Sequence, residues 1–130
     1  MRAAFSKKWK ASKNPRKQRK YRYNAPLHIL RKFLSAHLSQ DLMKKYKTRN
    51  IPLRSGDTVK LLRGQFKKVV GKITKVNLKK GKVYVEGVQL TKRDGTKAYY
   101  PIHPSNLQIQ ELNLTDKKRK EKWEKITNHA

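Results

Sequence analysis

Gly56-Asp57-Thr58-Val59-Lys60-Leu61-Leu62-Arg63-Gly64-Gln65-Phe66-Lys67-Lys68-Val69-Val70-Gly71-Lys72-Ile73 carries a strand, a basic turn and the start of a second strand in one continuous run. Val59 and Leu61 alternate with Thr58 and Lys60, the period of a half-buried strand over residues 58–62. Gly56 and Gly64 allow turn conformations that a Cβ would hinder. Gly71 lies inside a β segment, where a missing side chain signals close backbone approach. Phe66 and the cations Arg63, Lys67, Lys68 and Lys72 gather around the intervening turn.

Downstream, residues 69–78 read as a long strand, followed by the turn Lys79-Lys80-Gly81-Lys82 and a short strand over 83–85. Val88 and Leu90 stand on the opposite parity from Val83 and Val85, which predicts a bulge or bend near Gly87. Asp94-Gly95 is a hairpin signal between 88–91 and 97–100, and Leu107 and Ile109 alternate with Gln108 and Gln110 in a last strand. Of the adjacent Tyr99 and Tyr100, one is expected inside and one outside. So many short strands over residues 53–112 predict a small, strongly bent antiparallel barrel. Its core would include Val59, Leu61, Ile73, Val76, Val83, Val85 and Ile109.

Upstream, residues 25–50 read as helical. Pro26 suits a first helical position, and Leu27, Leu30 and Leu34 recur at i, i+3, i+7, with Ile29 and Phe33 beside them. Arg31 and Lys32 then face solvent or phosphate. Ser39 can cap a second helix, with Leu38 and Met43 as a hydrophobic staple, and Pro52 ends any helix before it. The tail, residues 113–130, predicts a helix capped by Thr115, with Asp116 in its first turn and a Glu121–Lys125 pair. Trp123 and Ile126 give it a thin apolar edge, so it should order fully only against the barrel or RNA.

Asp41 is the first acidic residue of the chain, and every ionised side chain before it is Lys or Arg. Across the chain, 35 Lys and Arg face 8 Asp and Glu, a formal charge of +27 on 130 residues. Self-repulsion of that size opposes compaction unless an anion cancels it, and a polyphosphate does so with release of its counterions. Nucleic acid is therefore the expected partner. Residues 1–24 read as an extended basic arm, too poor in aliphatics to order itself by burial. Its Phe5, Trp9, Tyr21 and Tyr23 are interleaved with cations, as in RNA-bound arms where bases stack on rings; a flexible solubility tail is the plain alternative.

Within the arm, Arg16, Lys17, Arg19, Lys20 and Arg22 are the leading candidates for phosphate contact, because guanidinium binds phosphate bidentately and ammonium acts as a point charge. Tyr23, Asn24 and His28 stand where arm meets domain, positions suited to specific contacts, although His28 also reads as an ordinary helix-surface residue. Arg31, Lys32, Arg54, Arg63, Lys67, Lys68, Lys72, Lys79, Lys80, Lys92 and Arg93 complete the expected RNA-facing set. His103, between Ile102 and Pro104, is as well suited to bracing a loop as to touching RNA.

Several classes fall away. The chain has no cysteine, so it has no disulfide framework or thiolate metal site. No apolar run approaches a membrane span, and no apolar stretch follows the basic start, so neither membrane insertion nor a secretory signal is expected. The few carboxylates are scattered and the 4 His lack ligand spacing. No enzymatic activity, metal or cofactor is expected.

The Gly56 to Ile73 run resembles a KOW motif. Its flanks are similar to one family in particular. Arg19-Lys20-Tyr21-Arg22-Tyr23-Asn24-Ala25-Pro26-Leu27-His28, Leu34-Ser35-Ala36-His37-Leu38-Ser39, Lys45-Tyr46 and Ile102-His103-Pro104-Ser105-Asn106 resemble, in order, the archaeal and eukaryotic branch of large-subunit ribosomal protein twenty-four, called twenty-six in eukaryotes. The resemblance runs from about residue 17 to 120. It implies an SH3-like barrel bound to large-subunit rRNA in the cytoplasmic ribosome, among neighbouring ribosomal proteins and near the tunnel exit, within reach of nascent-chain or targeting factors, with a role in subunit assembly. In the bacterial branch a barrel hairpin overhangs the exit; the matching connection here, Thr91 to Thr96, is short. Two departures stand out. Lys68 occupies a position usually held by glycine, so the turn differs there or Lys68 adds a phosphate contact, and residues 1–14 have no counterpart. A KOW module of a transcription elongation factor is the alternative reading, though such modules need no basic arm. A chromatin-type duplex DNA binder is a third.

Overall fold

In the computed structural model, which describes residues 5–129, Leu34, Ala36 and Leu38 are all but inaccessible while Ser35 and His37 between them are not. That period of two makes β1 (Ser35–Leu38) a strand rather than a helical continuation. It pairs antiparallel with β2 (Asn50–Pro52) and parallel with β8 (Leu107–Glu111). β8 in turn pairs antiparallel with β3 (Thr58–Leu61), β3 with β4 (Val70–Asn77), and β4 with β5 (Lys82–Val85). The result is a six-stranded mixed sheet in the order β2-β1-β8-β3-β4-β5, with β6 (Gln89–Thr91) and β7 (Lys97–Tyr99) as a separate hairpin. The sheet is thus open, and mixed instead of wholly antiparallel because β1, within the span expected to be helical, enters parallel beside β8. It remains consistent with a small SH3-like domain flanked by helices.

Gly71 marks a close approach, as its place in the strand predicts. A Cβ there would lie 2.5 Å from the Glu86 carbonyl oxygen. The parity break at Gly87 is a turn with φ of +82°, which redirects the chain so that Val88 returns to the core while Leu90 stays outside. The core comprises Val59, Leu61, Ile73, Val83, Val85 and Ile109 as expected, together with Leu38, Ile51, Val88, Ile102 and Leu107; Val76 is only half-buried. Tyr99 and Tyr100 both stay exposed. Each instead lies against one other ring, Tyr84 and Phe66 respectively.

Residues 25–50 contain two helices, α2 (Leu27–Phe33) and α3 (Gln40–Tyr46), on either side of β1. Pro26 is the residue before α2, and Ile29, not Leu27, points into the protein. Ser39 precedes α3 as its N-cap position, but no side-chain bond closes the cap. Arm residues 5–24 are not extended. A 3-10 helix (Lys7–Ala11) leads into α1 (Pro15–Tyr23), while residues 1–4 of the expected arm, like Ala130 at the tail, lie outside the described residues. Asn14 caps α1 by accepting from the Arg16 N–H at 3.0 Å, with Pro15 at its first position. Rings take the place of aliphatics. Phe5 contacts Trp9 and Tyr21, and Tyr21 contacts Phe33 of α2 at 5.8 Å between centroids.

The tail forms α4 (Lys117–Asn128), capped by Asp116, one residue later than expected. Its i,i+4 ion pair is Lys120–Glu124 at 3.8 Å, one step earlier than Glu121–Lys125. Trp123 is buried against Tyr46 of α3, and Arg119, one turn earlier on the same helix, is buried as well.

Candidate nucleic-acid interface

Three basic surfaces emerge from this frame. On α1, Arg16, Lys17, Arg19, Lys20 and Arg22 are all exposed. Tyr21 is turned inward by its ring neighbours, while Gln18, itself exposed, donates to the Ser12 carbonyl at 2.9 Å and ties α1 to the turn before it. The cations take the remaining circumference. With no acidic residue in its first turn to ease the dipole, α1 gathers positive charge at high density. Lys20 Nζ also sits 5.9 Å from the Trp9 ring centroid, a cation–π contact that steadies the aromatic cluster.

The end of α1 meets the β4–β5 turn. One concave surface is lined by Arg22, Tyr23, Phe33, Lys79, Lys80 and His103, and an adjoining groove by Tyr23, Asn24, His28 and Lys79. Residues separated by half the chain thus share one corner. His103 accepts from the Ser105 N–H through Nδ1 at 3.2 Å and caps the short helix Pro104–Asn106, so its bracing role is the one the geometry displays. Partial desolvation of this otherwise exposed ring, then the charges of Lys82 and Arg22, holds its pKa below the usual imidazole value.

A second surface runs along α2 to the loop after β2. Arg31 and Arg54 line a cleft of about 570 Å³ with Lys75, a residue that sequence reasoning does not single out, and with Thr74, Thr115 and Asp116. Arg54 is paired with Asp116, so part of its charge is engaged within the molecule. Lys32 is exposed on α2 nearby in sequence. The third surface is the β3–β4 turn, where Arg63, Lys67 and Lys68 are exposed, with Lys72 further along β4. Lys68 has a φ of +71°, the left-handed region that favours glycine, and its N–H donates to the Leu61 carbonyl at 2.8 Å. Lys92 and Arg93 are exposed in the β6–β7 connection and line neither of the grooves beside α1.

Beneath these surfaces lies a group that sequence reasoning misses. Asp57 is fully buried, and both its oxygens are saturated. Oδ1 accepts from Arg119 at 2.6 Å and the Asn113 N–H at 2.9 Å; Oδ2 accepts from Arg119 at 2.8 Å and the Arg54 N–H at 3.0 Å. Arg119 also donates to the Asn113 and Pro52 carbonyls. A buried guanidinium–carboxylate fork so fully hydrogen-bonded is a geometric lock, and here it bolts α4 to the turn before β3. The only sequence signal is a lone Asp in a Gly-Asp turn and one Arg among the many cations of the tail; nothing in their spacing pairs them.

Comparison with known proteins agrees with this architecture. Residues 12–125 match the family described as eukaryotic ribosomal proteins L26 and their archaeal L24 counterparts. The chain is 52% identical over 108 residues to the large ribosomal subunit protein uL24 of Methanosarcina barkeri (strain Fusaro / DSM 804), an alignment covering 83% of this chain and 93% of that protein.

Proposed function

This chain belongs to the family of eukaryotic L26 and archaeal L24 ribosomal proteins, and on that premise we propose that it is a large-subunit component that binds rRNA through its α1 corner and basic turns. That family is a structural one, not an enzyme family. The observation that carries the rRNA reading is the convergence of α1, α2 and the β4–β5 turn, with Arg16, Lys17, Arg19, Arg22, Lys79 and Lys80 all left to solvent. So many exposed cations repel one another, and phosphates that neutralise them release counterions and favour binding. The β body sets their relative positions, so the contacts select folded RNA whose backbones converge at matching spacing. Arg63, Lys67, Lys68 and Lys72 extend the phosphate-binding set on the β3–β4 side, Arg31, Lys32 and Arg54 along α2, and Lys92 and Arg93 on the hairpin.

The resemblance of the flanking motifs extends the proposal to a place near the tunnel exit and a part in subunit assembly. The β6–β7 connection spans few residues, so any reach over the exit is short. Neighbouring ribosomal proteins, and nascent-chain or targeting factors, are the partners this position would supply. A transcription-elongation module is the weaker reading, since the chain matches the ribosomal family over nearly its whole length.

Washing purified large subunits in rising salt tests the assignment. The chain should stay with the particle as long as its neighbours do. Release in moderate salt while neighbouring proteins remain, or co-purification with RNA polymerase instead of ribosomes, would overturn it.

A further inference from the structure

Three of the exposed aromatic side chains of this fold are partly covered by another ring. Phe33 lies against Tyr21, Tyr99 against Tyr84, and Tyr100 against Phe66. Tyr23 differs. It is 78% exposed, and among the described residues it contacts no other aromatic ring. It ends α1, and four residues later Leu27, 54% exposed, begins α2. The bend between the helices opens a groove of about 750 Å³ whose walls include Tyr23, Phe5, Pro26, Leu27 and Leu30, with His28 and Lys79 at its polar side.

We propose that this groove seats a single unstacked RNA base, with its face on the Tyr23 ring, its edge towards His28 and its phosphate on Lys79. The inference rests on the rRNA reading above and deepens it from phosphate contact to base contact. Charge decides the occupant. Arg22, Lys79 and Lys80 line the adjoining surface, and the chain carries a formal charge of +27. An apolar peptide entering there would have to bring acidic neighbours, whereas a nucleotide brings its own anion next to its own flat apolar face. Every base has such a face, and stacking on an exposed aromatic ring is tolerant of base identity. A base inside a duplex already has both faces covered by its neighbours, so the occupant must be a bulged or looped-out one.

The experiment uses the full chain and two RNA hairpins that differ only in one bulged 2-aminopurine, compared at matched salt. The bulged hairpin should bind about tenfold tighter than the fully paired one, a margin within the usual worth of one base–aromatic stack. Its fluorescence should be quenched on binding. Tyr23→Ala should abolish the preference by weakening the bulged hairpin about tenfold more than the paired one, and Tyr23→Phe should retain it. Leu27→Ser, in the lining of the same groove, should reduce the preference independently. Circular dichroism of each variant should match the parent, since both side chains are exposed. Equal affinity for the two hairpins, or a preference that survives Tyr23→Ala, overturns the base site while leaving the rRNA reading standing; the groove would then belong to a protein segment. Failure to bind either hairpin even at low salt would sink both.

Discussion

The β body and the α1 hairpin, formed by α1 and the 3-10 helix packed against it, are ordered by opposite means. In the body, Leu38, Ile51, Val59, Val83, Val85 and Ile109 are completely removed from water, and the sheet around them follows from that burial. The 3-10 helix and α1 bury no residue at all. They are shaped by the Ser6 and Asn14 caps, by Pro15, and by ring contacts running from Trp9 through Phe5 and Tyr21 to Phe33. The body is therefore held by burial, fastened at one point by the buried Asp57–Arg119 fork, whereas α1 carries only positive charge and has no carboxylate to offset it. Caps and rings fix where α1 sits, but its crowded cations repel one another until an anion arrives.

The largest expected effect breaks the body at its lock. Arg119→Ala leaves the Asp57 carboxylate buried and unpaired, so chemical denaturation should show a loss of about 3–5 kcal/mol and α4 should detach. Arg119→Lys should recover little of it, since an ammonium cannot span both oxygens. A loss under about 1 kcal/mol would mean the lock is ornamental.

A paired comparison then sharpens the contrast between regions. Ile109→Ala should cost about 2–5 kcal/mol of global stability by opening a cavity in the core. Trp9→Ala should cost about 1 kcal/mol or less, and should show mainly as reduced amide protection in α1. If both substitutions lower the global transition equally, the hairpin and body are one cooperative unit and the contrast fails.

Much of the body is legible in the sequence because its signals are local. The alternation of Val59 and Leu61, the bare Cα of Gly71 and the Asp94-Gly95 turn each specify their own geometry. β1 reads wrongly as helix because Leu27, Leu30 and Leu34 satisfy a helical period while Leu34, Ala36 and Leu38 satisfy a strand period; the partner β8, some seventy residues away in sequence, decides between them. The arm reads wrongly as extended because its apolar content is aromatic, and because the Asn14-Pro15 start signal sits amid cations. Of the interface, the cations themselves are plain, but not which of them converge. Nothing in the sequence brings Arg22 and Tyr23 to Lys79 and His103. The Asp57–Arg119 fork is invisible for the same reason: it joins two unremarkable residues across the fold.

A smaller effect concerns Lys68. Its left-handed backbone costs a lysine more than a glycine, so Lys68→Gly should stabilise the protein by roughly 0.5–1 kcal/mol. The same variant should bind rRNA more weakly. Gain in stability with affinity unchanged would reduce Lys68 to an incidental strain.

The smallest effect is a pH dependence at His103. Its folded pKa lies below the ordinary imidazole value because of partial desolvation and the charges of Lys82 and Arg22. The unfolded chain therefore binds the proton more readily. The contribution to stability should be complete above the ordinary imidazole range and should fade as pH falls from there towards the folded pKa. His103→Asn, which keeps a capping acceptor but does not titrate, should flatten that limb of the stability–pH curve. An unchanged curve would exclude His103 as its source.

The salt dependence of rRNA affinity tests the central claim most directly. Arg16, Lys17, Arg19, Lys20 and Arg22 are replaced together by Gln, and the logarithm of the affinity of each protein for large-subunit rRNA is plotted against the logarithm of salt concentration. The slope should flatten by roughly 0.7–0.9 for every phosphate that the variant no longer neutralises, with the β body still folded. A slope identical to that of the parent would show that α1 touches no phosphate, and the division of labour between body and hairpin would be wrong.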